Sequence, residues 1–218
     1  VTVGASDAEA LLQVVEYYHG VLLESPEAMG YLKRRGIGDP EAVERFRLGY
    51  ANRTLGLRLP RKNTALGREL REQLKRLGVF RERTGREHLN GCLVIPVFDG
   101  QGRVAELYGR RLDHHAKVGH LYLPGPHRGV WNLDAFRASK EIILCESLID
   151  ALTFWCAGYR HVTASFGTNG FTREHLEAVG VTPVEWTGYH LGDRAVDGGF
   201  SFRTGWGTGR RGRSGGGR

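Results

Sequence analysis

Apolar residues recur at helical spacing from the start of the chain. Leu11, Leu12, Val15, Tyr18 and Leu22 follow the capping box Ser6-Asp7-Ala8-Glu9 and predict a first helix. Ser25-Pro26 opens a second helix that Gly36 stops, and Asp39-Pro40 opens a third that ends near Gly49. Thr64 caps a fourth that runs to Leu77, with Gly78 as its stop. The pattern then changes. Cys92 to Phe98 is an apolar run, Asp99-Gly100-Gln101-Gly102 is a turn, and Arg103 to Leu112 resumes as a second strand, which is a hairpin signal. Leu121 to Leu123 offers an edge strand before Pro124-Gly125-Pro126.

From Glu141 strands and helices alternate. Glu141 to Cys145 reads as a buried strand, Ser147 to Ala157 as a helix ended by Gly158, and His161 to Ser165 as a second strand. Gly167-Thr168-Asn169-Gly170 is a loop, and Thr172 caps a helix to Val179, closed by Gly180. This order predicts a parallel βαβα unit. The expected fold class is α/β. An α+β N-terminal subdomain covers 7–137, an incomplete parallel unit 138–182, and a tail 183–218. Apolar periodicity stops at Val184, and eleven glycines fall between there and Arg218, so the tail is expected to be disordered.

At 218 residues and 24.3 kDa, with 40% hydrophobic and 25% charged residues, the chain can bury a real core. It holds no apolar stretch near the roughly 20 residues of a membrane span. Val1 to Glu9 lacks the basic start and apolar core of a signal peptide, so export is not expected. Cys92, Cys145 and Cys156 fit neither a disulfide framework nor a zinc site, and a reducing cytoplasm is the expected setting. The formal net charge of +7 permits nucleic-acid binding without demanding it. The segment from Val184 carries six Arg against Glu185, Asp193 and Asp197, so the body is only mildly basic.

Candidate chemistry centres on Glu146, at the C-terminal end of a predicted parallel strand, where open α/β sheets bind ligands. Asp150 follows in the first turn of the next helix. Two carboxylates so placed can share Mg2+, a hard cation that prefers oxygen. Spacing alone favours a plainer reading, in which both are acids stabilised by the helix dipole. Gly167 and Thr168 precede a helix start, where backbone amides can meet phosphate, although an ordinary turn has the same pattern. Arg110 and Arg111 end the second hairpin strand and suit bidentate phosphate contact, or else a charged strand edge. His114 and His115 would point to opposite faces of a strand and do not form a metal pair. Lys33-Arg34-Arg35 reads as a solvated helix end.

In order along the chain, these blocks resemble the catalytic core of bacterial-type DNA primases. Tyr31-Leu32-Lys33-Arg34-Arg35-Gly36-Ile37 and Phe46-Arg47-Leu48-Gly49-Tyr50-Ala51 look like its N-terminal subdomain. Leu93-Val94-Ile95-Pro96-Val97, Gly102-Arg103 and Tyr108-Gly109-Arg110-Arg111 look like its next block. Leu144-Cys145-Glu146-Ser147-Leu148-Ile149-Asp150 resembles the opening of a Toprim domain, and Phe166-Gly167-Thr168 its glycine-threonine step. The resemblance implies a nucleotidyltransferase of the DNA-directed RNA polymerase type. It implies Mg2+-dependent synthesis of RNA primers on single-stranded DNA from nucleoside triphosphates, with Mn2+ as a substitute ion and a replicative helicase as a candidate partner. Glu146 would be the metal-linked catalytic acid or base, Asp150 the supporting carboxylate, and Arg111, with Arg110 beside it, the holder of nucleotide or template phosphate.

The chain departs from that family in three ways. It has no Cys/His zinc cluster, it reads His120-Leu121-Tyr122-Leu123 where a Lys-Tyr-Leu block is expected, and it has no Asp-x-Asp after Thr182. The expected protein is therefore a primase truncated at both ends, weakly active or inactive. The alternatives are a non-catalytic nucleic-acid-binding Toprim fragment and a Toprim-type nuclease. A reading-frame change in GC-rich DNA would account for a tail rich in Gly, Arg and Trp.

Overall fold

A computed structural model describes residues 1–180 apart from 3 and 114, together with the backbone of Phe200–Arg203. Helix α1 spans Asp7–Leu23. Ser6 accepts from the Glu9 amide while Glu9 reaches back to the Ser6 amide at 2.8 Å, so the capping box forms as its sequence requires. Helices α2 (Pro26–Arg34) and α3 (Pro40–Arg45) start on Ser25 and Asp39 caps with proline in the first turn. Helix α3 is shorter than its sequence pattern suggests. Arg47 turns to φ 49°, and Gly49–Ala51 leaves as strand β1. Gly49 is required there, because a Cβ would sit 2.7 Å from the Tyr18 Cβ of α1. A short 3-10 turn, Leu55–Leu57, leads to α4 (Ala65–Arg76), capped by Thr64.

The hairpin forms as β2 (Cys92–Phe98) and β3 (Val104–Arg111). With β1 and β4 (His120–Tyr122) they make an antiparallel sheet ordered β1-β2-β3-β4. Strand β2 reads as a continuous apolar run because both its faces are covered. Leu93, Ile95 and Val97 join one core cluster, while Cys92 and Val94 join another against Val14, Tyr18 and Leu70.

A short helix, α5 (Asp134–Ala138), leads to β5 (Glu141–Cys145), α6 (Leu148–Cys156), β6 (Val162–Ala164) and α7 (Arg173–Val179). Strands β5 and β6 are parallel, as their connection demands. On the other side of β5 lies β7 (Phe200–Arg203), which pairs antiparallel with Ile142 opposite Phe202. The sequence reading assigned no strand past residue 182, so this pairing is a correction. The alternation of Phe200, Ser201, Phe202 and Arg203 is the only local signal for it. The rest of the expected disordered tail, and the reading-frame expectation, lie outside the described residues.

One core cluster runs through both sheets. Leu22 and Leu32 of the N-terminal helices share it with Tyr108, Leu152, Trp155 and Val162. Phe46 packs on Trp131, ring centroids 4.2 Å apart, and edge-on to Trp155 at 5.1 Å. Asn132, at a φ of 54° that asparagine tolerates, donates to the carbonyls of Arg160 (3.0 Å) and Val162 (2.8 Å). Buried His175 accepts from the Thr172 amide at 3.1 Å, and its Nε2 lies 3.0 Å from the Ala164 carbonyl, fixing α7 against β6. Burial holds its pKa below the ordinary histidine value.

Candidate functional site

Glu146 sits directly after β5, at the strand's C-terminal end. Its carbonyl accepts from the Gly167 amide at 3.0 Å, and the Ser165 amide donates to the Cys145 carbonyl at 2.9 Å. The two strand ends are thus tied together, and Glu146 and Thr168, both exposed, share one edge of the sheet. Asp150 is also exposed. Its carboxylate accepts from Ser147 Oγ at 2.6 Å, and its amide donates back to that oxygen at 3.4 Å, which caps α6. The amides of Gly167 and Gly170 are spent inside the structure, on Glu146 and on Gly167 (3.0 Å). Neither glycine amide is therefore free for phosphate, contrary to the simplest reading of the loop. Gly170 is needed because a Cβ would lie 2.3 Å from the Phe166 carbonyl carbon. Among the described residues no group of three His, Cys, Asp or Glu side chains could hold a metal ion.

Arg110 and Arg111 part company. Side chains alternate along a strand, so neighbours face opposite sides of the sheet. Arg110 shares its face with Tyr108, which packs in the core that includes Leu148 and Ile149 of α6. Arg111 turns to the other face and donates to the Asn90 carbonyl at 2.9 Å. Asn90 there lines a cavity of about 240 Å3 with Arg53, Phe80, Arg86 and Glu87. Arg111, the first choice for phosphate from sequence, thus gives one of its donors to the Asn90 turn. His114 lies outside the described residues, and His115 sits in a turn after β3 and not on a strand.

The β3–β4 register places His120 opposite Arg110. Arg110 Nη1 donates to His120 Nε2, and His120 Nδ1 lies 2.6 Å from the Tyr108 hydroxyl. Partial burial, then the Arg110 cation, lowers the His120 pKa; Asp150 and Glu146 act on the ring in the opposite sense, and Arg35 opposes them. The Tyr108 hydroxyl is pushed up by burial first and also feels Asp150 and Tyr31. Arg110, His120 and Tyr108 touch one another, Tyr108 shares its core cluster with Cys145 and Leu148, and the Tyr122 ring of β4 meets Phe166 at 5.8 Å, so this face of the antiparallel sheet lies toward the C-terminal end of β5, while Glu146, Asp150 and Arg35 act on His120 through charge. Arg35 lies over the Tyr31 ring at 5.7 Å, so the basic helix end makes a ring contact as well as a solvated cap. Two buried polar atoms here, Arg110 Nε and Tyr31 Oη, have no hydrogen-bond partner.

Two further buried groups carry no signal in the sequence. Glu106 accepts from the Leu123 amide at 3.1 Å and pairs with His127 Nδ1 at 3.0 Å, and burial raises its pKa. The His127 ring stacks on Phe166 at 4.8 Å, steadying the residue before Gly167. Glu87 accepts from the Tyr18 hydroxyl at 3.1 Å and the Leu55 amide at 2.9 Å, holding the 3-10 turn on α1.

Residues 17–132 match the family model for the DNA primase catalytic core, N-terminal domain. The DNA primase of Aquifex aeolicus is 34% identical over 178 residues, covering 73% of this chain and 33% of that protein. The primase of Halalkalibacterium halodurans is 27% identical over 192 residues, covering 75% of this chain and 30% of its own length. The chain thus spans about a third of the curated relatives it matches. Among solved structures, the DnaG catalytic core is 22% identical with a TM-score of 0.66, covering 80% of this chain and 58% of that one. The zinc-binding and RNA polymerase domains of the Aquifex aeolicus primase are 28% identical with a TM-score of 0.60, covering 74% and 43%. A DnaG catalytic domain bound to single-stranded DNA has a TM-score of 0.65 at 22% identity, covering 79% of this chain and 59% of that one.

Proposed function

Because the chain belongs to the DNA primase catalytic core family, we propose that the ground between the Arg110 face of β3 and the C-terminal end of β5 is a crevice that holds the phosphates of single-stranded DNA and nucleoside triphosphates for primer synthesis in the cytoplasm. The observation that supports this most is the Arg110–His120 contact on the sheet face toward the C-terminal end of β5, where the charges of Asp150 and Glu146 act on the His120 ring. Phosphoryl transfer asks a protein for in-line positioning and charge neutralisation. Arg110 offers the cation, a planar fork suited to phosphate. Glu146 and Asp150 offer exposed carboxylate oxygens.

The donor set fits Mg2+ in kind. Mg2+ keeps several waters and is commonly bound by one or two carboxylates together with substrate phosphates. Glu146 and Asp150 would hold it, Asp150 through the oxygen that Ser147 does not occupy. Mg2+ so bound would neutralise phosphate charge. Two carboxylates alone would hold it weakly, and a substrate phosphate would supply the further oxygen. Arg110 fixes the phosphate, Ser147 orients Asp150, and the Gly167–Glu146 hydrogen bond fixes the backbone from which Glu146 projects. A replicative helicase is the partner class that fits a primase core in a replicating cell.

The test uses Mn2+ as a paramagnetic stand-in with an oligo-dT present. Amide NMR signals of Glu146, Asp150 and Gly167 should broaden, and a Glu146→Gln/Asp150→Asn variant should lose that broadening. Equal broadening in the variant would remove the two carboxylates from the site.

A further inference from the structure

The contact between Arg110 and His120 is unusual for a cation, because a guanidinium has donors only and imidazole offers it a single acceptor. With Arg110 Nη1 donating to Nε2, that nitrogen carries no proton. The neutral ring then carries its proton on Nδ1 and donates to the Tyr108 oxygen, 2.6 Å away. Tyr108 anchors this relay, since it is fully buried on the core face of β3. Arg110 Nε is left buried without a partner, so its guanidinium is held but not satisfied. An anion in the crevice would satisfy it, at the cost of the bond to His120.

Protonation reverses the relay. With a proton on Nε2, two donors and two positive charges face each other, and the Arg110–His120 contact is lost. Arg110 is then free to turn to an anion, and the imidazolium adds a second cation beside it. The charged and titratable groups facing His120 are Arg110 and Tyr108 from β3, Arg35 after α2, Asp150 from α6 and Glu146 after β5. Of these groups the imidazole is the one whose ordinary charge change falls between pH 5.5 and 7.5, and partial burial moves it toward the lower end of that range.

We propose that His120 is a positioning residue: neutral, it latches Arg110 through Nε2, and protonated, it releases Arg110 to share a backbone phosphate with it. This rests on the reading of the crevice as a phosphate site. Binding of phosphate and of the proton are then linked, and each strengthens the other.

The probe is an oligo-dT, whose phosphodiesters keep one charge throughout the window. Its affinity is followed by fluorescence anisotropy at fixed low salt between pH 7.5 and 5.5. The wild-type chain should bind about 3–10-fold more tightly at the lower pH, within the tenfold per pH unit that one linked proton allows. His120→Gln keeps a polar side chain without the charge change and should bind with a flattened profile. His120→Lys, permanently charged, should bind tightly at both values, and it carries the test if the glutamine variant fails to fold. Calorimetry at pH 6.5 in two buffers of different ionisation enthalpy should show proton uptake on binding in wild type and none in His120→Lys. A wild-type slope in either His120 variant overturns the latch. Arg110→Ala separates the two ideas: wild-type affinity in that variant overturns the crevice reading itself, whereas weakened binding together with a His120-independent slope overturns only the latch.

Discussion

Replacing Phe46 by Ala tests whether the two halves of the crevice are held by one core. Phe46 follows α3 in the N-terminal half, yet its ring rests on Trp131 and meets Trp155 of α6. It is 6% exposed. Truncation removes roughly 150 Å2 of buried apolar surface, worth about 4 kcal/mol at about 25 cal/mol per Å2. The two ring contacts add about 0.5–1.5 kcal/mol each, and partial collapse of the cavity offsets some of that loss. The expected cost is about 3–5 kcal/mol, the usual range for a buried Phe→Ala change. Stability for a domain of this size is about 5–15 kcal/mol, so the variant should be folded but near its limit. Urea unfolding followed by far-UV and near-UV circular dichroism provides the assay, with Phe46→Leu, at roughly 1–2 kcal/mol, as the gentler step. Both probes should give one coincident transition, shifted to lower urea with unchanged slope. A loss below about 1 kcal/mol, or two separate transitions in the wild-type chain, would show that the halves are not coupled through this ring.

Other expectations follow from particular groups. Burial raises the Glu87 pKa in the folded state above its unfolded value, so the fold takes up a proton there as pH falls. This group's contribution therefore rises as pH drops from neutrality through the raised pKa, and Glu87→Gln should flatten that part of a Tm-against-pH curve; an unchanged curve would contradict it. Gly170→Ala forces the backbone at Phe166 to shift and should cost roughly 1–3 kcal/mol, whereas Thr168→Ala at the exposed tip of the same loop should stay within about 0.5 kcal/mol of wild type by thermal melts. Burial holds the Cys92 thiol at about 11 and the Cys145 thiol at about 12, while the Cys156 thiol is half-buried and also raised. Under native conditions a thiol-disulfide reagent at pH 8 should label Cys156 first and slowly, and Cys156→Ser should abolish that phase.

Local signals determined much of this fold. Caps at Ser6, Ser25, Asp39 and Thr64 start four helices where their chemistry says they should. The change of period at Cys92 marks the hairpin, and the β5-α6-β6 alternation puts Glu146 at its strand end. Strand β1 was hidden because it is three residues long and exists through its pairing of Tyr50 with Leu93. Strand β7 was hidden among glycines, and its pairing with β5 is a long-range contact. The placing of Glu146 after β5 and of Asp150 in the first turn of α6 was legible in the sequence. The separation of Arg110 from Arg111 was also legible in principle, since strand alternation demands it. The contact of His120 with Arg110 was not, because it depends on the register that sets the two opposite each other, and nothing local specifies that register. Buried Glu87 and Glu106 look like ordinary surface acids in sequence, and their partners, Tyr18 and Leu55 for one and Leu123 and His127 for the other, come from distant segments.

The central claim is that the phosphate site lies on the Arg110 face of β3 and not on the Arg111 face. The most direct measurement compares Arg110→Ala and Arg111→Ala for oligo-dT affinity at low salt, by anisotropy, with the fold of each variant verified by circular dichroism. Loss of a charge-assisted phosphate contact is worth about 1.5–3 kcal/mol, or on the order of 10–100-fold in affinity. Arg110→Ala should weaken binding by that amount, while Arg111→Ala, which loses its hydrogen bond to Asn90, should lower stability and leave affinity within about twofold. Equal losses from both, or a larger loss from Arg111→Ala, would contradict the account.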